Sequence, residues 1–295
     1  MTAFLLKIIA SITMLLDHTQ VVFPSVFPFY LRYIGRIAFP VYAYMIAQGC
    51  RRTRNIGKYL FRLGIFALVS EIPFDLAFRK EINFLSDTNI FYTLFLGTAC
   101  IAIYKKLREK FAVSESASVI ESENETEQKP GQKAEHAAGH KAEQKTEPPI
   151  DKKNRLPLIV LSVLLMTPVA ILANLLGTDY GALGIICILI FYFAKPENRL
   201  SRTIAAFCVV FYMYGFDIVR WISQSYSGAA NVQRTLMEMI SSVPAYMLNF
   251  FLFALFAVLL ICLYNGKLGP RLKWAFYIFY PAHLLILVAI KYLQQ

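Results

Sequence analysis

The chain has 295 residues, of which 57% are hydrophobic and 17% charged, and its formal net charge is +11. Average domains of soluble proteins are about 45–50% apolar, and several apolar runs here are long enough to cross a bilayer. This composition excludes an ordinary soluble domain and predicts an all-α, polytopic membrane protein. The positive charge does not indicate nucleic-acid binding, because the basic residues cluster at alternate ends of the apolar runs.

The apolar runs predict about nine or ten transmembrane helices. Between the fourth and fifth runs lies a segment rich in Glu, Lys, Gln and Ser, which cannot bury enough apolar surface to offset its ordering entropy. We therefore predict two groups of membrane helices, 1–108 and 156–295, joined by a disordered hydrophilic linker, 109–155. A further amphipathic helix is predicted over 231–242. The nine crossings assigned from the sequence are 4–23, 30–50, 58–78, 89–108, 156–175, 180–195, 202–222, 243–265 and 271–292.

The charges of the loops predict the orientation. The loops after the second, fourth, sixth and eighth crossings are rich in Lys and Arg, whereas those after the first and fifth contain none. Lys and Arg are enriched in cytoplasmic loops. We expect a multi-pass protein of the cell (inner) membrane, with its N-terminus and the linker in the cytoplasm.

The first crossing contains three ionisable residues, Lys7, Asp17 and His18. Each costs at least about 2.5–3.5 kcal/mol at mid-membrane, so a functional role is favoured. Lys7 and His18 are eleven residues apart, which places them on one helix face about 16 Å apart along the axis. Histidine suits general base catalysis near neutral pH. The alternative is that His18 forms a hydrogen bond between helices.

The predicted topology gathers further polar residues in the outer leaflet, where they indicate a hydrated chamber. The alternative is a network of structural ion pairs, such as Arg36 with Glu71 or Asp75, and Asp217 with Arg220. His283 lies deeper, beside Pro281, and competes with His18 for the role of base. The residues of this layer, besides Asp17 and His18, are Arg32, Arg36, Glu71, Asp75, Asn89, Asp179, Tyr180, Asp217 and Arg220.

The loop after the second crossing is strongly basic, with Arg51, Arg52, Arg54 and Lys58. These side chains suit the phosphates of a nucleotide-like molecule, or they only set the topology. No Gly-rich phosphate loop or zinc-binding pattern is present, and the five cysteines lack CxxC spacing. We therefore predict no metal site.

Several segments resemble the TraX family of membrane proteins. They are LLKIIASITMLLDH, LRYIGRIAFPVYAYMIAQGCRRTRN, KYLFRLGIFALVSEIPFDLAF, NIFYTLFLG, DYGALGI and FYPAHLLIL. The founding member of that family N-acetylates a pilin subunit, and the family is grouped with the acyltransferase-3 and heparan-glucosaminide acetyltransferase superfamily. That superfamily often has an Arg, ten residues and a catalytic His in its first helix, and here Lys7 replaces the Arg before His18.

The resemblance implies an integral membrane acetyltransferase that uses acetyl-CoA and no metal. Its acceptor would be an amine or hydroxyl at the outer side, on a peptide N-terminus, a glycan or a small molecule. The implied catalytic residues are His18, Asp17, Arg36, Glu71 and Asp75. The implied acetyl-CoA-binding residues are Lys7, Arg51, Arg52, Arg54 and Lys58. The implied substrate-binding or supporting residues are Asn89, Asp179, Tyr180, Asp217 and His283.

Two other classes of function remain open. Intramembrane Asp, Glu and His also form proton relays, which would suit an ion-coupled transporter, although no repeat relates the two halves. A non-catalytic scaffold for the assembly of a surface structure is the other alternative, to which so dense a polar cluster is less suited.

Overall fold

The computed structural model describes residues 1–79, 82–126, 151–226, 241–270 and 272–294 of the chain. Within these ranges every regular element is helical, which confirms the predicted all-α, polytopic membrane bundle. The helices are α1 (Ala3–Val22), α2 (Tyr30–Gly35), α3 (Ala38–Arg52), α4 (Ile56–Phe78), α5 (Ile90–Thr126), α6 (Lys152–Leu175), α7 (Gly181–Phe193), α8 (Arg199–Val210), α9 (Phe216–Tyr226), α10 (Ala245–Cys262) and α11 (Lys273–Leu293), with a π-helical turn, Phe211–Gly215, joining α8 to α9.

All nine predicted crossings coincide with helical segments. Three of these helical segments are shorter or more charged than the rest: α3 has 15 residues, α7 has 13, and α4 contains four charged side chains. A helix of 13 residues is about 20 Å long, which is less than the hydrocarbon thickness. Six segments are long and apolar enough to cross a membrane, namely Ala3–Val22, Ile90–Val113, Lys153–Leu175, Arg199–Gln224, Ala245–Cys262 and Trp274–Leu293.

The second predicted crossing, 30–50, is broken into α2 and α3. Pro40 causes the break, because it has no N–H to donate and its ring clashes with the carbonyl four residues earlier, that of Arg36. At the break, two backbone hydrogen bonds reach back three residues instead of four. They run from Arg36 N–H to the Tyr33 carbonyl (3.1 Å) and from Ile37 N–H to the Ile34 carbonyl (3.2 Å). The break lies beside His18 and Asp17, on the neighbouring helix α1.

The predicted linker, 109–155, begins as a helix, since α5 continues to Thr126. This corrects the expectation for 109–126: a helix that is already formed extends at little cost, and no Gly or Pro interrupts this stretch before Pro130. Residues 127–150 lie outside the described residues, as does most of the amphipathic helix predicted over 231–242.

The described chain forms two compact units, one of Met1–Ala99 with Ala170–Gln295 and the other of Cys100–Val169. In the first unit α1 packs against α2, α3, α4 and α11. The loop between α10 and α11 holds the start of α1, where the Lys267 and Leu268 carbonyls accept from the N–H groups of Ala3 (2.8 Å) and Phe4 (3.0 Å). The first N–H groups of a helix have no partner within it, so this loop fixes the position of α1.

Candidate active site

A cavity of about 710 Å³ runs along α1 within the first unit. Lys7, Met14, His18 and Val21 of α1 all line it, as their spacing of seven, four and three residues along one helix face predicts. Two groups of polar residues mark its extremes. The basic end contains Lys7, Arg52 and Arg62, and the histidine end contains Asp17, His18, Arg32, Arg36, Asp179 and Tyr180.

At the histidine end, His18 of α1 is joined to His283 of α11. The distance from His18 Nδ1 to His283 Nε2 is 2.7 Å, and the two rings are inclined by only 18°. The other nitrogen of His283, Nδ1, lies 2.9 Å from the Phe279 carbonyl oxygen. Phe78 and Tyr280 pack edge-on against the His18 ring. The two membrane histidines, which the sequence treats as rivals, therefore form one pair, and His18 is the member that lines the cavity.

Asp17 holds two arginines of the broken second crossing. Its carboxylate lies 3.2 Å from Arg32 Nη1 and 3.1 Å from Arg36 Nη2. Arg36 also donates from Nε to the Arg32 carbonyl (3.0 Å). Gly35 permits this arrangement, because a Cβ at that position would lie 2.5 Å from Asp17 Cβ. The two arginines share one carboxylate, which leaves the group with a net positive charge.

The loop before α7 forms another part of the wall at the histidine end. The Asp179 N–H donates to the Thr88 carbonyl (2.9 Å), and the Tyr180 ring stacks on Phe39 with 3.9 Å between the ring centres. Tyr180 adopts a left-handed backbone conformation with φ of 68°, which turns the chain into α7. Asp179 lines the cavity, and the loss of hydration there raises the pKa of its carboxyl to about 6.

The basic end is lined by cations and aromatic rings. Lys7 Nζ lies 5.3 Å from the centre of the Phe276 ring, and Arg62 lies over the Tyr59 ring at 5.7 Å. Arg52 donates to the Gly266 carbonyl (2.9 Å). Among the described lining residues the carboxylates are those of Asp17 and Asp179, and both belong to the histidine end. The basic end is therefore suited to an anion.

Three of the residues predicted for the site, Glu71, Asp75 and Asn89, support the start of α5 and the loop before it instead of lining the cavity. Glu71 is buried and accepts from both the backbone N–H and the side-chain amide of Asn89, which also donates to the Ala67 carbonyl (2.8 Å). Asp75 lies 3.5 Å from Arg79 and accepts from the Asn83 N–H at 2.7 Å. Arg36 pairs with Asp17 rather than with Glu71 or Asp75, because α2 packs directly on α1.

The residues of the basic loop also separate. Arg51 donates to the carbonyls of Phe191, Tyr192 and Ala194, at the end of α7, so it satisfies carbonyls that have no partner within that helix. Arg54 and Lys58 are exposed and outside the cavity lining, whereas Arg52 lines it. Asp217 and Arg220, on α9, are likewise exposed and outside the lining.

The cavity contains polar residues that the sequence reasoning did not assign to the site. Arg62 lies on α4, four residues after Lys58, and the sequence gives no sign that its side chain turns inward while that of Lys58 faces outward. The sequence also does not distinguish the tyrosines of the lining from the other aromatic residues of this aromatic-rich chain. The unassigned polar lining residues are Tyr42, Thr53, Tyr59, Arg62, Tyr277 and Tyr280.

Comparison with known proteins places this chain in a family. A stretch of 112 residues is 33% identical to a protein described as probable fimbrial assembly protein FimC, serogroup H1, of Dichelobacter nodosus. The match covers 35% of this chain and 46% of that protein, so it spans about half of the relative's length. No solved structure matches the chain. A family model described as TraX protein matches residues 3–122 and 149–291, which is most of the sequence, and the chain belongs to the TraX family.

Proposed function

We propose that this chain is an integral membrane acetyltransferase that moves acetyl from cytoplasmic acetyl-CoA to an acceptor amine or hydroxyl on the opposite side of the membrane. The observation that carries the proposal is a single cavity with a basic end at Lys7 and Arg52 and a histidine base at the other. The proposal adopts the orientation predicted from the loop charges. It also adopts membership of the acyltransferase-3 superfamily.

The basic end suits the phosphates of acetyl-CoA. Lys7, Arg52 and Arg62 supply three cations, and a guanidinium binds phosphate through two parallel hydrogen bonds. The distance along α1 from Lys7 to His18 is about 16 Å, which is comparable to an extended pantetheine arm. With the phosphates at the basic end, the thioester would lie beside His18.

At the histidine end, the reaction needs one proton transfer and one group transfer. The acceptor nitrogen or oxygen attacks the thioester carbon while His18 takes the acceptor's proton. The carbon–sulfur bond then breaks, and the CoA thiolate takes that proton from His18 and leaves as the thiol. Transfer of the acetyl group through His18 itself is the alternative route. A positioned base contributes about 10²–10⁴ in rate.

The oxyanion formed in that attack needs hydrogen-bond donors. Arg36 and Tyr180 line the cavity at the histidine end and have the required N–H and O–H groups. Nη1 of Arg36 is not used in its bonds to Asp17 and the Arg32 carbonyl. Asn89, which the sequence also suggests, is held by Glu71 outside the cavity lining.

The test is acetyl transfer by the purified protein in liposomes. Radiolabelled acetyl-CoA is supplied on one side, and a synthetic peptide with a free N-terminus or glucosamine on the other. We expect release of CoA and labelled acceptor, and a loss of at least about 10²-fold in His18→Ala, with CoA binding retained. His140→Ala, in the hydrophilic segment, is the matched control and should transfer normally. Near-normal transfer by His18→Ala would refute the mechanism, and a transporter would release no CoA.

A second candidate function is that of a scaffold in the assembly of a surface fibre. The description of the Dichelobacter nodosus relative as a probable fimbrial assembly protein favours it. The two functions differ in their need for His18. If a strain that carries His18→Ala assembles fibres normally and the purified wild type transfers no acetyl group, the scaffold function is supported. Loss of assembly together with loss of transfer would favour the acetyltransferase.

A further inference from the structure

The hydrogen bonds around His283 determine where its proton lies. A carbonyl oxygen only accepts hydrogen bonds, so His283 Nδ1, at 2.9 Å from the Phe279 oxygen, must carry a hydrogen and donate it. A neutral imidazole has one N–H, and hence Nε2 of His283 has none. This nitrogen can accept a hydrogen bond and cannot donate one.

The same reasoning then fixes His18. Its Nδ1 lies 2.7 Å from His283 Nε2, so His18 must be the donor in that bond. When His18 is neutral, its second nitrogen, Nε2, carries no hydrogen. Because Nδ1 is occupied by His283, Nε2 is the nitrogen that His18 can present to the cavity it lines. A base requires such an unprotonated nitrogen.

The rings are also held in orientation. His283 is buried, and its ring stacks on that of Phe279 with 4.9 Å between the ring centres. The nearest carboxylate to the pair along α1, that of Asp17, is bound by Arg32 and Arg36. A histidine thus takes the place that a carboxylate holds behind the base of a serine protease.

We propose that His283 is a positioning residue that holds His18 in the tautomer with Nε2 unprotonated and stabilises the positive charge that His18 gains when Nε2 takes up a proton. The proposal rests on the acetyltransferase function. When Nε2 of His18 receives the acceptor's proton, both of its nitrogens carry hydrogen, and the Nδ1–H···Nε2 bond to His283 persists and becomes charge-assisted. The proton returns from His18 Nε2 to the leaving thiolate, which restores the neutral pair.

Two variants separate this role from simple packing. His283→Leu fills the site with an apolar side chain and removes the acceptor for His18 Nδ1–H. His283→Gln places an amide oxygen near the position of the original Nε2, so it can accept that bond. We expect kcat to fall by about 10²-fold in the leucine variant, within the range a positioned base supplies, with the KM for acetyl-CoA unchanged. The glutamine variant should recover at least about tenfold of that loss.

A direct readout uses ¹⁵N-labelled histidine and NMR, since the chain has only four histidines. In a variant with His136 and His140 replaced by glutamine, the two remaining signals belong to His18 and His283. We expect His18 as the Nδ1–H tautomer in this protein, and loss of that preference in His283→Leu. His18 as the Nε2–H tautomer, or a glutamine variant no better than the leucine variant, would overturn the proposal.

The two proposals can fail separately. If the leucine variant does not fold, the tautomer of His18 in the protein with His283 intact and the activity of the glutamine variant still decide the role of His283. If the wild type transfers no acetyl group, the acetyltransferase function is refuted. The tautomer of His18 would then still decide whether His283 positions it.

Discussion

Replacing Gly35 with alanine would test how closely the Asp17–arginine group depends on the contact between α1 and α2. A Cβ at position 35 would lie 2.5 Å from Asp17 Cβ and Cγ and 2.7 Å from its Oδ1. Non-bonded carbon atoms prefer about 3.5–4.0 Å, so Asp17 must move by about 1 Å. A shift of this size would lengthen the hydrogen bonds from Arg36, now 3.1 and 3.2 Å, beyond the range in which they hold.

The expected cost follows from these two effects. Forcing an extra methyl group into a packed contact costs about 1–3 kcal/mol, and a hydrogen bond to a charged group contributes about 1.5–3 kcal/mol. Because the two effects share one contact, we expect a decrease of about 2–4 kcal/mol in the free energy of unfolding. If Asp17 orders the site, acetyl transfer should also fall by about 10²-fold, as for a misplacement of 1 Å.

The assay is reversible unfolding in mixed detergent micelles, with acetyl transfer measured on the same samples. Gly64→Ala is the matched control, since its Cβ would meet Phe95 at 3.4 Å, close to ordinary contact. Alanine inside a helix is favoured over glycine by about 0.5–1 kcal/mol, so this control should be as stable as the wild type or more so. If Gly35→Ala unfolds at the same point as Gly64→Ala, the close contact is not a constraint and the reasoning is refuted.

Three further predictions follow from the same geometry. Arg52→Gln should raise the KM for acetyl-CoA by about tenfold. Arg51→Gln should leave this KM unchanged and lower the free energy of unfolding by about 1.5–3 kcal/mol. Equal effects of the two variants on KM would contradict the assignment of Arg52 to binding and Arg51 to structure. Asn89→Ala keeps the backbone N–H that donates to Glu71 but removes the side-chain amide that donates to Glu71 and to the Ala67 carbonyl. It should cost about 1–3 kcal/mol, which thermal unfolding would detect. A cysteine at Leu85, in a chain without its five native cysteines, should react with a membrane-impermeant reagent from outside the cell; labelling from the cytoplasm would reverse the proposed orientation.

The face of α1 that lines the cavity could be predicted from the sequence because it depends on one helix alone. The period of the α-helix places Lys7 and His18 on the same side whatever surrounds them. The fold class was equally accessible, since apolar length and composition decide it. The pairing of His18 with His283 was not, because the two are 265 residues apart and only the packing of α1 against α11 brings them together.

The depth predicted for a residue in the membrane did not predict whether its side chain lines the cavity. Loop charges place Glu71 and Arg36 in one layer, but they do not determine the direction in which each helix faces. Glu71 turns toward the start of α5, and Arg36 turns toward α1. Neighbours in the basic loop diverge for the same reason. Successive residues of a helix point about 100° apart, so Arg51 reaches the end of α7 while Arg52 lines the cavity.

The charge of the cavity wall bears on the ion gradients of the membrane. A hydrated passage along α1 would offer protons and metal cations a route across the bilayer. The described lining residues carry five cationic side chains, Lys7, Arg32, Arg36, Arg52 and Arg62, against two carboxylates. Fixed positive charge in a narrow passage repels cations and protons. On the proposed function, the cavity would therefore admit an anionic acetyl donor while resisting a leak of protons and metal cations across the membrane.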